Sequence, residues 1–130
     1  MKAQWIDIPN INDPRGNLAV LENSKLPFDI KRVFYLYDVP SGSERGGHAL
    51  KTTHQLLIPL SGSFEIFLKT VSGEVSILMN NPTKGLLINP ITWREMTNFS
   101  SGSICLVLAS KEYDEADYIR EWDDFNQILI

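Results

Sequence analysis

One short segment of the sequence carries side chains suited to proton transfer and anion binding. One of the chain's two histidines, His48, lies in the run Arg45-Gly46-Gly47-His48-Ala49-Leu50-Lys51. An imidazole has an unperturbed pKa of about 6.5, so it can take and return a proton near neutral pH. His48 is therefore the main candidate for a catalytic proton-transferring group.

Other polar residues could bind an anionic ligand or a developing oxyanion. Tyr37 ends a predicted strand, and its phenol could donate to an oxyanion or relay a proton. Trp93 is favoured as a core residue but could also pack near a bound base. Because arginine binds diphosphates in a bidentate manner, the candidate binding residues, together with Gln55, are Arg45, Lys51, Arg15 and Arg94.

Several other chemistries are disfavoured by residue type and placement. Cys105 lies within an apolar run, which predicts a buried and unreactive thiol. No Gly-x-Ser-x-Gly sequence is present to suggest a serine nucleophile. The acidic residues near the C-terminus form one solvated face in a predicted helical tail, whereas a glycosidase needs two carboxylates that face each other.

Composition predicts a single domain, residues 1–130, with no nucleic-acid partner. The formal net charge of −4 opposes general binding to nucleic acids, which requires a basic surface. A diphosphate needs only one or two local arginines, so a nucleotide ligand remains possible. The N-terminus lacks the apolar core of a signal peptide, and no apolar run is long enough to span a membrane, so we expect a cytoplasmic protein.

The elements that position these residues are short strands separated by turns. Alternating β-branched and aromatic residues, bounded by Gly, Pro and Asn, predict a β-sandwich or barrel. The predicted strands are Leu18–Glu22, Lys31–Val39, Gln55–Leu60, Phe64–Thr70, Glu74–Met79, Leu86–Asn89 and Ser103–Ala109. The alternating segment Gln4–Pro9 suits an edge strand, and Asp114–Ile128 has the spacing of a short terminal helix.

The motifs of the chain resemble those of the cupin superfamily. The glycine, His-x-His, Gln and glycine positions of the first cupin motif correspond to Gly46 through Gly62, and the second motif is centred on Pro90. Within the cupins, the chain resembles the WxcM-like dTDP-4-keto-6-deoxyglucose 3,4-ketoisomerases. The segments that carry this resemblance are Tyr37–Pro40, Arg45–Lys51, Pro90–Met96 and Asp114–Arg120.

This resemblance implies a jelly-roll barrel, a homodimer and a dTDP-linked 4-keto-6-deoxyhexose substrate. The enzyme would remove the C3 proton beside the C4 carbonyl and reprotonate C4. The product would enter synthesis of 3-amino-3,6-dideoxysugars for bacterial surface glycans such as O-antigens and S-layer glycans.

The resemblance also bears on metal binding. The cupin ligand positions correspond to His48, Leu50, Gln55 and Glu95. Leucine cannot bind a metal and glutamine is a poor ligand, so fewer than the usual three or four ligands remain. We therefore expect neither a catalytic metal nor another cofactor.

The chain departs from the family pattern at Leu50, where the family has its second histidine. Three explanations are open: a natural variant in which His48 moves the proton alone, a variant made to trap a complex, or a protein that binds a sugar nucleotide without turnover. His54 is an unlikely replacement, because four residues of extended chain would place it about 13 Å from Leu50. A related keto-sugar epimerase is a further alternative.

Overall fold

Twelve strands and one short α-helix make up the computed structural model, which describes residues 1–130. Two single 3-10 turns lie at Asn23–Lys25 and Glu115–Asp117. In chain order the elements are β1 (Gln4–Asp7), β2 (Asn10–Ile11), β3 (Leu18–Ala19), β4 (Arg32–Tyr37), β5 (Arg45–Leu50), β6 (Gln55–Ser61), β7 (Phe64–Thr70), β8 (Gly73–Met79), β9 (Lys84–Ile88), β10 (Trp93–Thr97), β11 (Ile104–Ala109), β12 (Tyr118–Ile119) and α1 (Trp122–Ile128).

The strands form two five-stranded antiparallel sheets and a small hairpin. The first sheet has the order β1-β9-β6-β11-β4 and the second the order β12-β5-β10-β7-β8, while β2 pairs with β3. The predicted all-β, cupin-type barrel with a short C-terminal helix is therefore confirmed. No helix combines the length and apolar character that a membrane crossing requires.

The main core fills the space between the two sheets. Phe64, Ile66 and Leu68 alternate along β7 and face Leu57 and Val107 of the first sheet within one buried cluster. This period-two alternation follows from the strand pleat. Full burial of one such side chain contributes about 1.5–3 kcal/mol, so this cluster fixes how the sheets face each other.

Each sheet is also covered on its outer face. The segment from Leu21 to Ile30 packs over Leu56, Ile58 and Leu108 of the first sheet. On the second sheet, Phe125 of α1 packs with Ala49 and Trp93. Because Ala49 and Trp93 face outward, their neighbours on β5 and β10 face the interior of the barrel.

Sequence periodicity located some strands more accurately than others. Phe64–Thr70 agrees with β7, and Gln4–Asp7 lies at a sheet edge as expected. The predicted strand at Leu18–Glu22 is shorter, because only Leu18–Ala19 pairs. The predicted helix at Asp114–Ile128 is also shorter, because its first half becomes a 3-10 turn and β12, which pairs with β5.

The strands β5 and β10 escaped prediction, although they pair through a regular ladder interrupted by one bulge. Arg94 lies opposite His48, whereas Glu95 lies opposite Gly46, so Gly47 is the extra residue of a β-bulge. Gly46 and Gly47 both have positive φ values, of 88° and 63°. A Cβ on Gly46 would lie 3.0 Å from the Arg94 carbonyl oxygen, so this position requires glycine.

A buried carboxylate fixes the segment before β12 to the end of β5. Asp117 accepts hydrogen bonds from the Thr52 backbone N–H at 2.9 Å, the Thr52 hydroxyl at 2.7 Å and the Thr53 hydroxyl at 2.5 Å. Burial raises the pKa of Asp117, but the bonds from Thr53 and Thr52 outweigh it and hold the pKa below its usual value.

The substitution Asp117→Asn should lower the free energy of unfolding by about 1–3 kcal/mol. The asparagine NH2 group would replace one accepting oxygen, so one of the three donors would lose its hydrogen bond. Urea denaturation of both proteins at neutral pH measures the difference. Asp29→Asn, at an exposed position, is the matched control and should change the value by less than about 0.5 kcal/mol. Equal losses in the two variants would contradict this role for Asp117.

Candidate functional site

A cavity of about 390 Å³ opens at one end of the barrel and contains His48. Five strands contribute polar side chains to it: Arg32 from β4, His48 from β5, Gln55 from β6, Arg94 from β10 and Tyr118 from β12. The other lining residues are Phe34, Leu36, Glu44, Arg45, Gly46, Leu57, Met96, Val107 and Arg120.

The charge of this cavity is opposite to that of the whole chain. Four arginines line it, at positions 32, 45, 94 and 120, and Glu44 is the one carboxylate. The chain as a whole has a net charge of −4. A positive cavity in an acidic protein favours an anionic ligand.

Arg94 is a fully buried guanidinium with no carboxylate partner. Its side chain is 1% exposed; Nη1 donates to Gln55 Oε1, and Nη2 donates to the Thr92 carbonyl oxygen at 3.2 Å. Its Nε–H has no hydrogen-bond partner. Burial lowers the pKa of Arg94 to about 10, so the group remains a cation at neutral pH.

His48 is held as a neutral imidazole next to this cation. Burial is the main cause that lowers its pKa to about 4, and the positive charge of Arg94 lowers it further. Its Nδ1 lies 3.1 Å from the Gly46 carbonyl oxygen. Because a carbonyl can only accept, Nδ1 carries the proton and Nε2 is the basic nitrogen.

Two arginines at the rim are accessible to a large ligand. Arg45 is exposed and belongs to no salt bridge, whereas Arg120 forms a pair of hydrogen bonds with Glu115 at 2.6 and 2.8 Å. Arg120 lowers the pKa of Glu115 to about 2. The Arg120 guanidinium also stacks over the Tyr118 ring, 4.3 Å from its centroid.

The structure brings together four of the residues nominated from the sequence. His48, Arg45, Gln55 and Arg94 all line the cavity. Their convergence follows from the pairing of β5 with β10, which sets Arg94 opposite His48. Gln55 then meets Arg94 from the opposing sheet.

The other nominated residues lie elsewhere. Tyr37 does not line the cavity, because Phe34 and Leu36 of β4 face inward and the alternating Tyr37 faces outward. Arg15 lies in the turn between β2 and β3, where it pairs with Asp13 at 2.8 Å. Lys51 is exposed beyond the end of β5, and Trp93 is buried beneath α1.

Leu50 faces the interior but is almost completely buried. Its side chain is 2% exposed, and its register partner on β12 is Tyr118. It lies beside Arg32 and Gln55 at a minor crevice rather than in the cavity itself. With leucine at this position, His48 and Arg94 remain register partners on β5 and β10.

Neither His54 nor Glu95 joins the site. His54 lies between β5 and β6, where Nδ1 is 3.1 Å from Asn89 Oδ1. Glu95 alternates with the inward-facing Arg94 and does not line the cavity. No group of three or more His, Cys, Asp and Glu side chains comes together in the structure.

Among the cavity residues that sequence reasoning missed are Arg32, Tyr118 and Arg120. Arg32 shares strand parity with Phe34 and Leu36, so an inward position could have been inferred from β4 alone. Tyr118 and Arg120 lie in the segment Asp114–Arg120, which the sequence assigned to a helix. Only the pairing of β12 with β5 brings them to the barrel mouth.

A second hollow, of about 640 Å³, lies between the chain termini and β9. It is larger than the His48 cavity, but Lys2 is its one charged lining residue. Without a histidine, carboxylate or phenol, this hollow has no side chain besides Lys2 that could transfer a proton, and it has no arginine to bind an anion. The His48 cavity is therefore the candidate active site.

Comparison with known proteins gives one family over nearly the whole chain. The family model described as "FdtA: WxcM-like, C-terminal" matches residues 1–129. The TDP-4-oxo-6-deoxy-alpha-D-glucose-3,4-oxoisomerase of Aneurinibacillus thermoaerophilus is 41% identical over 130 residues, covering 99% of this chain and 94% of that protein.

Solved structures agree with this result. The sugar 3,4-ketoisomerase QdtA of Thermoanaerobacterium thermosaccharolyticum, in complex with TDP, matches with a TM-score of 0.94 and 44% identity over 98% of this chain and 93% of that chain. A variant of QdtA in complex with TDP-4-keto-6-deoxyglucose matches with a TM-score of 0.94 and 43% identity, with the same coverage.

The electrostatics of the cavity predict an unusual titration of His48. Its imidazole should remain neutral until the pH approaches about 4. Because the unfolded imidazole takes a proton near pH 6.5, the free energy of unfolding should fall as the pH drops from about 6.5 to about 4. Proton NMR of the imidazole signals, assigned with a His54→Asn variant, measures the midpoint.

The substitution Arg94→Met separates the two causes of this shift. Removing the guanidinium should raise the His48 pKa from about 4 towards 6.5 without exposing the ring. Circular dichroism checks that the variant keeps its β-structure. A His48 midpoint near 6.5 in the unsubstituted protein would contradict the neutral imidazole described above.

Proposed function

The chain belongs to the FdtA family of WxcM-like, C-terminal domains, and we propose that its His48 cavity isomerises a TDP-linked 4-keto-6-deoxyglucose. It is a sugar 3,4-ketoisomerase that moves the carbonyl from C4 to C3. The relatives named above act on or bind this class of sugar nucleotide. The observation that carries the proposal is a neutral, partly buried imidazole directly opposite a buried arginine in a cavity of positive charge.

The distribution of arginines matches the two ends of such a substrate. Arg45 and Arg120 are exposed at the rim. Arg45 can bind the diphosphate in bidentate fashion, and Arg120 can donate to it from Nη1, which Glu115 does not bind. Arg94 lies buried at depth, where only the sugar would reach it. A nucleotide sugar would therefore enter with its diphosphate at the mouth and its hexose against His48.

The chemistry requires a base and a positive charge, and His48 and Arg94 supply them. The C3 proton is acidic because the C4 carbonyl stabilises the resulting enediolate. His48 takes this proton on Nε2, and Arg94 stabilises the negative charge that develops on the sugar oxygen. Return of the proton to C4 then places the carbonyl at C3.

Leu50 favours an alternative in which the chain binds the sugar nucleotide without turnover. His48 and Arg94 remain register partners with leucine at this position, however, and they supply the base and the positive charge for the central proton transfer. An epimerase would share this first step but would leave the carbonyl at C4. The position of the carbonyl in the product therefore separates isomerase from epimerase.

Turnover is tested by mixing the protein with TDP-4-keto-6-deoxyglucose in deuterated water and following C3 and C4 by NMR. We expect deuterium at C4 or solvent exchange at C3, together with a 3-keto product. His48→Asn should lower the rate by at least about 100-fold, because it removes the base. His54 is partly buried but lies outside the cavity, so the His54→Asn variant is the matched control and should retain the activity.

Calorimetry with TDP completes this experiment. Binding of TDP with no exchange and no product would favour the binding-only alternative. Absence of TDP binding would overturn the proposed function, because the arginines at the rim would then have no diphosphate partner.

We also propose that two copies associate through the outer face of β4. This strand lies at a sheet edge and exposes Val33, Tyr35 and Tyr37, with the two tyrosine rings 5.7 Å apart. An exposed apolar row along an unpaired edge strand favours association with another chain. The opposite edge, β1, exposes a smaller apolar surface, with Trp5 as its main exposed apolar residue.

A dimer of about twice 14.7 kDa is therefore expected in light scattering at micromolar concentration. Tyr35→Glu should shift it towards the monomer by introducing charge into the interface. Val71→Glu is the control, because Val71 is an apolar residue that is more exposed than Tyr35 but lies in the turn between β7 and β8. A monomer in the unsubstituted protein would overturn the dimer.

The remaining part of the proposal concerns cellular role. A cytoplasmic enzyme that forms a 3-keto sugar nucleotide would supply an aminating reaction at C3. Such a product suits the synthesis of amino sugars for surface glycans.

A further inference from the structure

We propose that Tyr118 is a second catalytic residue, which carries a proton between the C3 and C4 oxygens of the sugar while His48 moves the carbon-bound proton. The inference rests on the isomerase function proposed above and deepens it. A ketoisomerase must move two protons, one between carbons and one between oxygens. His48 alone accounts for one of them.

The Tyr118 ring lies against His48 in the cavity. The two ring centroids are 5.0 Å apart and the ring planes are inclined at 52°. Both residues line the cavity, and Tyr118 is half-buried, so its phenol can meet a ligand that also contacts the imidazole.

Tyr118 is the cavity group best suited to exchange the second proton. The four lining arginines can only donate hydrogen bonds, because a guanidinium has no acceptor atom. Glu44 is exposed, in the loop before β5. A phenol can both donate and accept a hydrogen bond, which a relay between two neighbouring oxygens requires.

A hydrogen bond orients the phenol for this task. Nη1 of Arg32 donates to the Tyr118 oxygen at 3.4 Å. Because the phenol oxygen accepts this bond, its own O–H is free to donate to a ligand. The structure shows no other protein partner for that proton.

The backbone keeps Tyr118 in fixed register with His48. Tyr118 pairs with Leu50, two residues beyond His48 on β5. The preceding residue, Asp117, is bound to Thr52 and Thr53 immediately after the same strand. The base lies on β5 and the phenol lies on β12, which pairs with β5, so both are carried by paired strands.

The resulting reaction balances without an added oxidant or reductant. His48 takes the C3 proton, the C–H electron pair forms the C3–C4 double bond, and the C4 oxygen takes the Tyr118 proton. The phenolate then takes the proton of the C3 hydroxyl as the C3 carbonyl forms. The electron pair of the double bond takes the proton from His48 at C4, so C3 is oxidised and C4 is reduced.

The test is Tyr118→Phe in the full chain, assayed with TDP-4-keto-6-deoxyglucose. We expect kcat to fall by about 100-fold or more, the usual effect of losing a proton-transferring group, with KM within about threefold. The His48 NMR midpoint should stay near pH 4, which shows that the imidazole has kept its surroundings.

Tyr113→Phe is the matched control. Tyr113 lies 5.5 Å from the Tyr118 ring but does not line the cavity, so the same loss of a hydroxyl should leave kcat unchanged. A kcat of Tyr118→Phe within about threefold of the unsubstituted protein would overturn the proposal. So would a fall in kcat accompanied by a displaced His48 midpoint, which would make Tyr118 a positioning residue. Inactivity of the unsubstituted protein would instead refute the isomerase function itself.

Discussion

The buried guanidinium of Arg94 imposes the main physical constraint on this barrel. Removing a cation from water costs several kcal/mol, and here no carboxylate offsets that cost. Gln55 and the Thr92 carbonyl supply hydrogen bonds but no negative charge. An anionic ligand, or an oxyanion formed during reaction, would provide the missing charge.

The same cation determines the protonation state of the imidazole. Burial and the Arg94 charge both disfavour imidazolium, so His48 is a neutral base before substrate arrives. A bound diphosphate at the rim would oppose the Arg94 charge and make the imidazole more basic. Substrate binding and base strength are therefore coupled through the field of the arginines.

The local backbone makes this pairing of groups possible. The bulge at Gly47 and the absence of a Cβ at Gly46 let β5 approach β10 closely at Arg94. Asp117 then fixes the C-terminal segment to the end of β5, which brings Tyr118 and Arg120 to the mouth of the cavity. Loss of either feature would alter the geometry of the site, although the side chains of His48, Arg94 and Tyr118 would all still be present.

The sequence by itself determined the fold class, the regular strands such as β7, and the choice of His48 as the main candidate base. These depend on period-two burial and on the chemistry of single side chains, which are local properties. It did not locate β5, β10 or β12, because Gly46-Gly47 and the acidic segment before Tyr118 have poor strand propensity. Pairing with neighbouring strands overrides that propensity, and it alone decided that Arg94 and Tyr118 lie beside His48.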